Sequence, residues 1–475
     1  MNEFSVGFAI YFLVIAVIAA IAYRRTQTDF DYDIGGKSLS APVAALSAGA
    51  SDMSGWLLLG LPGAIYLAGL GESWIIIGLL LGAYLNWQFV APRLRLMSSA
   101  YEEEAATLPQ FFRLRTGYSG VSLRLVASLV VIVFFTVYTS AGFVASAKLF
   151  QSVMGWDYHM AVVCGVVIIM VYTVAGGFLA VSWTDAFQAL LMLVALIALP
   201  VFVLQTDIPS ELSFTFESVS VVGTISLLAW GLGYFGQPHV LARFMALKNP
   251  SQMVRAKAIG MSWMLIATVG AIAIGLVGAI AVPDLADPET VFIRVADAFL
   301  NPYLAGLLIA AILAAVMSTV DSQLIVASTC IVNDLFQINR RKLFMSRLVV
   351  VGVALGAGVI AINENSVVLD VVAYAWAGLG ASFGPAVLFS LFWRRTTGPS
   401  IVAGMIVGAS TTLVWHTLGA LFGGVFSDVY EMIPAFCFAS IAIAIVALSQ
   451  PDTEAEKRFR SDDELKASLS GVRAS

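Results

Sequence analysis

The sequence predicts an all-α polytopic membrane protein of about thirteen transmembrane helices. Three observations carry that expectation. The first is composition: 60% of the 475 residues are hydrophobic and only 12% are charged, whereas a soluble domain is closer to half apolar and about a quarter charged. A water-soluble core cannot hide that much apolar surface, and the mean hydropathy of +0.91 says the same. The second is a recurrence of apolar runs near the length of about 20 residues that crosses a bilayer. They fall at about 5–23, 41–70, 73–92, 124–151, 160–181, 183–204, 220–247, 257–282, 299–330, 346–363, 366–393, 399–421 and 431–449. The third is the placement of basic residues. With thirteen spans the loops alternate sides, and all of the 25 lysines and arginines except Lys148 and Arg294 then fall on one face. The positive-inside rule makes that face cytoplasmic, with the N-terminus outside and the polar tail, 450–475, inside. Residues 1–449 are expected to form one transmembrane domain with a core at about 41–393.

Several function classes fall away. The net charge of −5 and the lack of a basic domain give no nucleic-acid partner. Cys164, Cys330 and Cys437 are far apart in apolar runs, and His159, His239 and His416 are scattered. Neither set has metal-ligand or disulfide spacing. No GxxxxGK[ST] loop is present to bind ATP, and no catalytic triad stands out, so the chain is not expected to be an enzyme. The run from Val6 to Tyr23 is too long for a signal-peptide core and ends in Arg24-Arg25 without a small-residue cleavage site, so it reads as a retained first span.

Two spans are irregular. The second carries Ser47, Gly49, Ser51, Asp52, Ser54 and Gly55 at its middle, and the seventh contains Gly231, Gly233, Gly236 and Pro238. Glycine and proline disfavour a continuous helix. The two irregular spans are five apart, as expected if spans 2–6 and 7–11 are the halves of an inverted repeat with broken helices around a midplane site. Small residues also let membrane helices pack closely, which is the plain alternative. An acid at mid-span favours a site, because an intramembrane carboxylate costs several kcal/mol unless it is paired, hydrated or functional. Asp52 has no Lys or Arg within one helical turn, so a bound cation is a candidate partner; a helix cap or a protonated acid is the alternative.

In the ninth span, Ala315, Ser318, Thr319 and Ser322 follow i, i+3, i+4, i+7 spacing and share a helix face. Two adjacent hydroxyls with a carbonyl one turn earlier offer hard oxygen ligands for an alkali cation. Hydroxyls in spans also bond back to the i−4 carbonyl, and the spacing alone does not decide. Asp321 flanks this face as a second acid without a local base. Trp56, Tyr138, Trp230 and Tyr234 gather near the breaks, where aromatic faces suit a cationic amine or a flat apolar ring, although most aromatics in spans serve packing.

The segment ALSAGASDMSGW from Ala45 to Trp56 resembles the second span of bacterial sodium/proline symporters of the sodium/solute symporter family. So do GLGYFGQPHVLAR from Gly231 to Arg243, GGFLAVSWTD from Gly176 to Asp185 and AILAAVMST from Ala311 to Thr319. The resemblance runs from about Tyr32 to the end of the last span. It implies a LeuT-type five-plus-five inverted-repeat core and symport of L-proline with sodium across a bacterial inner membrane, with no organic cofactor. It further implies a sodium site made by the carbonyls of Ala50, Met53 and Ala315 and the hydroxyls of Ser318 and Thr319. Asp52 matches an acid important for sodium use, and Asp185 one that some relatives use for an auxiliary sodium. The proline pocket would draw on Trp56, Gly60, Tyr138, Trp230, Tyr234 and Pro238, with the carboxylate expected at free N–H groups near Ser54 and Gly55. Two positions depart from the family pattern: Lys37 replaces an arginine, and Asp321-Ser322 replaces a small hydroxyl or thiol pair. Asp321 and Ser322, with Asp185, are candidates for a second cation site. Another small solute on the same fold, a receptor fused to a histidine kinase and an ion channel are the alternatives; the 26-residue tail is too short for a kinase domain.

Overall fold

The computed structural model describes residues 4–101, 103–206, 219–338, 341–460 and 464. Arg340, Lys466 and Arg473 of the basic face, and most of the tail beyond 460, lie outside them. The described residues are overwhelmingly helical and contain no β-strand, only an isolated parallel pairing of Leu39 with Leu247. Among the described residues ten helices are long and apolar enough to cross a membrane, and three further apolar helices are shorter, at Trp56–Ala68, Tyr158–Val174 and Val221–Gly236. Two of these three are the spans predicted to be broken. The third is short because Gly176 and Gly177 adopt extended backbone, which ends the helix well before the expected 181.

The helices that build the spans, leaving aside short ones such as Asp29–Ile34, Leu108–Thr116 and Val291–Phe299, run in order as α1 (Phe4–Tyr23), α2 (Ala41–Asp52), α3 (Leu61–Ala68), α4 (Leu70–Met97), α5 (Val121–Met154), α6 (Tyr158–Ala175) and α7 (Phe178–Leu204). They continue as α8 (Val221–Leu228), α9 (Pro238–Met245), α10 (Met253–Ala281), α11 (Pro302–Thr329), α12 (Lys342–Ile360), α13 (Val368–Phe392), α14 (Gly398–Phe422) and α15 (Met432–Ser449). The span containing α11 is 83% buried over its most apolar stretch and that of α13 is 78%, against 28–33% for α1, α14 and α15. The first two therefore form the centre and the last three the rim. Leu13, Leu67, Val171 and Val254 are exposed apolar side chains on the outer faces. In a chain this apolar those faces meet lipid, and helices satisfy their own backbone bonds there.

Both breaks have local causes. α2 ends at Asp52, where Met53 leaves helical geometry (φ −86°, ψ 78°) and the chain resumes as a wide π-type turn over Trp56–Gly60 before α3. The seventh predicted span runs from α8 into a tight 3₁₀ segment, Ala229–Gly236, then one extended residue, Gln237 (φ −89°, ψ 104°), then α9 with Pro238 in its first turn. Proline suits that position because its missing N–H would be unsatisfied there anyway. Gly236 is needed for approach: a Cβ would sit 2.7 Å from the Gly380 carbonyl oxygen of α13.

Candidate functional site

The break after α2 faces the middle of α11. Ser318 Oγ donates to the Ala50 carbonyl at 2.8 Å and lies 3.0 Å from that of Ala315, while Thr319 Oγ1 is 3.3 Å from the Ala50 carbonyl. Four of the five residues predicted to hold sodium thus meet as a cluster of neutral hard oxygens. Met53, fully buried, closes α2 three residues after Ala50. This donor set fits a small alkali cation: the hydroxyls that now bond to carbonyls would turn their lone pairs to the ion.

Asp52 is buried at the end of α2. One carboxylate oxygen accepts from the Tyr234 hydroxyl, and the other has no hydrogen-bond partner among the described residues. The Asp52 carbonyl accepts from Trp56 Nε1 at 3.3 Å and from the Tyr138 hydroxyl at 3.4 Å. Both broken segments and α5 therefore converge on this residue. A cavity of about 20 Å³ lies between Asp52, Met53, Asn86 and Tyr234, room for roughly one water-sized occupant. The Trp56 and Trp230 rings are 6.3 Å apart. Tyr430 stacks on Trp230 at 5.5 Å, and Trp376 meets Tyr234 edge-on at 5.2 Å. Trp376 also donates to the Trp230 carbonyl at 2.8 Å, and Asn86 Nδ2 to that of Tyr234 at 3.0 Å, so non-helical backbone at the second break is held by side chains.

Four predicted pocket members behave differently. The Ser54 N–H already donates to the Asp52 carbonyl at 3.1 Å, and Gly55 packs so closely that a Cβ would lie 2.8 Å from that of Ala145. Gly60 faces Leu369 and Glu289, and Pro238 lines a second small cavity with Asp33, Thr107 and Phe383. The aromatic cluster therefore lies between Gly60 on one side and Pro238 on the other.

Asp185 sits in a second polar cluster. It accepts from Ser47 Oγ at 2.8 Å, Ser322 Oγ at 3.2 Å and Arg243 Nη2 at 3.2 Å. Arg243 also donates to Ser47 at 3.1 Å, to the His239 carbonyl at 2.8 Å and to Ser322, and its guanidinium lies over the Phe178 ring. The sequence counts Arg243 among the basic charges of a loop face, but the structure buries it completely. Its place at the end of the Gly231–Arg243 motif was the available signal. Asp321 points elsewhere: it bonds to Thr173 on α6, and its second oxygen has no partner among the described residues.

The two sides of the bundle differ. On one, Lys148 bridges Glu289 at 2.7 Å and Asp287 at 2.9 Å. Glu289 also accepts from the Val368 and Leu369 N–H groups at the start of α13, at 3.0 and 3.2 Å. That side is sealed. On the other, basic side, a vestibule of about 960 Å³ opens beside Asp33, Arg113 and Asp334. It adjoins the cavity beneath Pro238 through Asp33 and Pro109. Lys37, in the left-handed region at φ 48°, holds Ser99 Oγ at 2.6 Å and Glu104 at 3.0 Å on this rim. Burial, stronger than the attraction of Glu104, pulls its ammonium down to about 8. Lys342 meets Asp33 at 2.5 Å, yet burial still holds that carboxyl above its ordinary value.

The sodium:solute symporter family profile matches residues 32–408. The chain belongs to the sodium:solute symporter family. Members are transporters, so this one is a multi-pass membrane transporter and not an enzyme. It is 45% identical to the sodium/proline symporter of Escherichia coli, with 96% of each chain covered. It is 46% identical to the high-affinity proline transporter PutP of Bacillus subtilis, over 91% of this chain and 95% of that one. The fold matches a Na⁺-coupled sialic acid symporter in a substrate-bound outward-open state, with a TM-score of 0.74, 20% identity and 94% and 98% of the two chains covered. It also matches Mhp1, a nucleobase-cation-symport-1 family transporter, with a TM-score of 0.54, 15% identity and 89% and 96% covered. These neighbours agree with the LeuT-type core that the family resemblance implies.

Proposed function

We propose that the protein is a secondary active symporter that imports L-proline with sodium across a bacterial inner membrane by alternating access. The observation that carries this reading is the convergence of the Ala50–Ser318–Thr319 oxygen cluster and the aromatic cluster on one broken helix. The near-full-length likeness to proline transporters supports the solute. Sodium, as cargo, would be held by the carbonyls of Ala50, Met53 and Ala315 and the hydroxyls of Ser318 and Thr319. Asp52 would couple the sites, because its backbone leads into the ion cluster and its side chain bonds to Tyr234. Proline's ring and ammonium would lie against Trp56, Tyr138, Trp230 and Tyr234, its charges balanced because an unpaired charge away from water is expensive.

In this cycle sodium binding from outside favours the outward-open state. Filling both sites permits the halves to rock until the Lys148–Glu289 side closes and the basic-side vestibule opens. Entry of one positive charge down 100 mV contributes about 2.3 kcal/mol beyond the concentration gradient. The basic side is taken as cytoplasmic, with thirteen spans, the N-terminus outside and the tail inside, and with residues 1–449 as one domain. Asp185 and Ser322 are taken as a second, auxiliary cation region, in which the Arg243 guanidinium already supplies one positive charge, with Asp321, bonded to Thr173 on α6, as a further acid at its edge. Uptake of radiolabelled proline by proteoliposomes, with sodium and potential imposed separately, tests the reading; a protein that ignores proline under a sodium gradient overturns it.

A further inference from the structure

We propose that the cleft between α1 and α6 is a binding site for one anionic phospholipid, a second ligand site separate from the transport pathway. α1 packs chiefly on α7 and α11, which leaves a groove of about 960 Å³ beside α6 on the membrane face. Its walls include Ile15 and Ala16 from α1 and Val167 and Val171 from α6. Val167 and Val171 are exposed, and a channel of this shape and polarity suits an acyl chain. At one end the lining changes to Arg24, at the end of α1, and Arg347, on α12. Among the described residues neither guanidinium has a carboxylate partner. Arg347 donates through Nε to the Val174 carbonyl at 3.1 Å, which fixes the side chain at the groove. Two uncompensated guanidiniums at the mouth of an apolar channel match a phosphate headgroup joined to its tail, since arginine binds phosphate with parallel N–H donors and basic residues near the bilayer surface attract anionic lipid. A zwitterionic lipid offers the same tail and weaker net charge attraction.

The lipid fills the space between α1 and α6, beside the direct packing of α1 on α7 and α11. The test is native mass spectrometry of the full chain released from nanodiscs of equal phosphatidylglycerol and phosphatidylcholine. The wild type is expected to retain one phosphatidylglycerol with about tenfold preference. Arg24→Gln with Arg347→Gln is expected to bring that preference close to one. Ala16→Phe, which fills the groove and leaves the charges in place, is expected to lower retention of both lipids. Inorganic phosphate at millimolar concentration should not displace the lipid, because it lacks the tail. Equal retention of the two lipids by the wild type overturns the proposal, as does an unchanged preference in the double variant or displacement by phosphate alone. Because Arg347 also caps α6, Arg24→Gln alone serves as the variant that spares that contact, with an intermediate preference expected and a wild-type value contradicting the assignment.

Discussion

At the residue scale, hydroxyls and acids carry the account. Ser318→Ala and Thr319→Ala each remove one oxygen from the cluster around the Ala50 carbonyl. Each is expected to raise the sodium concentration needed for half-maximal uptake while leaving proline affinity at saturating sodium nearly intact. Sodium titrations of uptake check this, and unchanged curves in both variants would remove this face from the ion site. Trp230→Ala is expected to weaken proline binding roughly tenfold or more, as loss of aromatic contact with a desolvated ammonium implies. Tyr234→Phe is a sharper probe, because its hydroxyl reaches Asp52. It should impair sodium activation as well as proline binding, and sodium and proline titrations of the same preparation separate the two effects. Asp321→Ser is expected to alter the cation-to-proline ratio or the pH profile of uptake without changing solute choice. Of the four proposed sodium ligands that meet, helical spacing places Ala315, Ser318 and Thr319 on one face, and Ala50 was legible only through the family resemblance. The Asp185–Arg243 pair was not legible, because a charge 58 positions away in sequence leaves no local pattern and Arg243 reads equally well as a loop charge.

At the scale of elements, the breaks were readable and their supports were not. Glycine and proline mark where α2 and the segment before α9 stop. The side chains that satisfy the freed backbone, Asn86 and Trp376, come from α4 and α13, and nothing in their own sequence surroundings announces that task. The short helix Val291–Phe299 beside the sealed side also went unread, because nine residues are too few for a span and its apolar face merges with loop signals. Gly236→Ala places a methyl against α13 backbone and is expected to destabilise the protein by about 1–3 kcal/mol, the usual cost of overpacking, which thermal unfolding in detergent reads out. The sealed side can be probed by cysteine labelling. Glu289 is buried in its pair with Lys148, so a cysteine there should react only when that side opens, whereas Asp284→Cys on the exposed stretch of the same loop should react in every state. Lys37 offers a pH test outside the spans. Its ammonium is pulled down to about 8 by burial, so between pH 8 and 10.5 the unfolded chain binds a proton that the folded one lacks, and stability rises with pH in that window. The melting temperature of the wild type relative to Lys37→Met should climb from pH 7.5 to 9.5; a constant difference would show that burial does not perturb this lysine.

At the scale of the whole molecule, composition and basic-residue placement were enough for a polytopic helical bundle, and two interrupted spans five apart were enough for its repeat architecture. Which side is open was beyond the sequence, since the same residues must build both states. The central claim is that sodium drives proline uptake through this bundle. The most direct measurement is radiolabelled L-proline accumulation in proteoliposomes under an inward sodium gradient, with potassium-loaded controls and with a sugar offered in place of proline. The account predicts uphill, saturable accumulation of proline that requires sodium, grows with an inside-negative potential and is absent for the sugar. Accumulation of proline without sodium, or sodium-driven uptake of the sugar in its place, would contradict it.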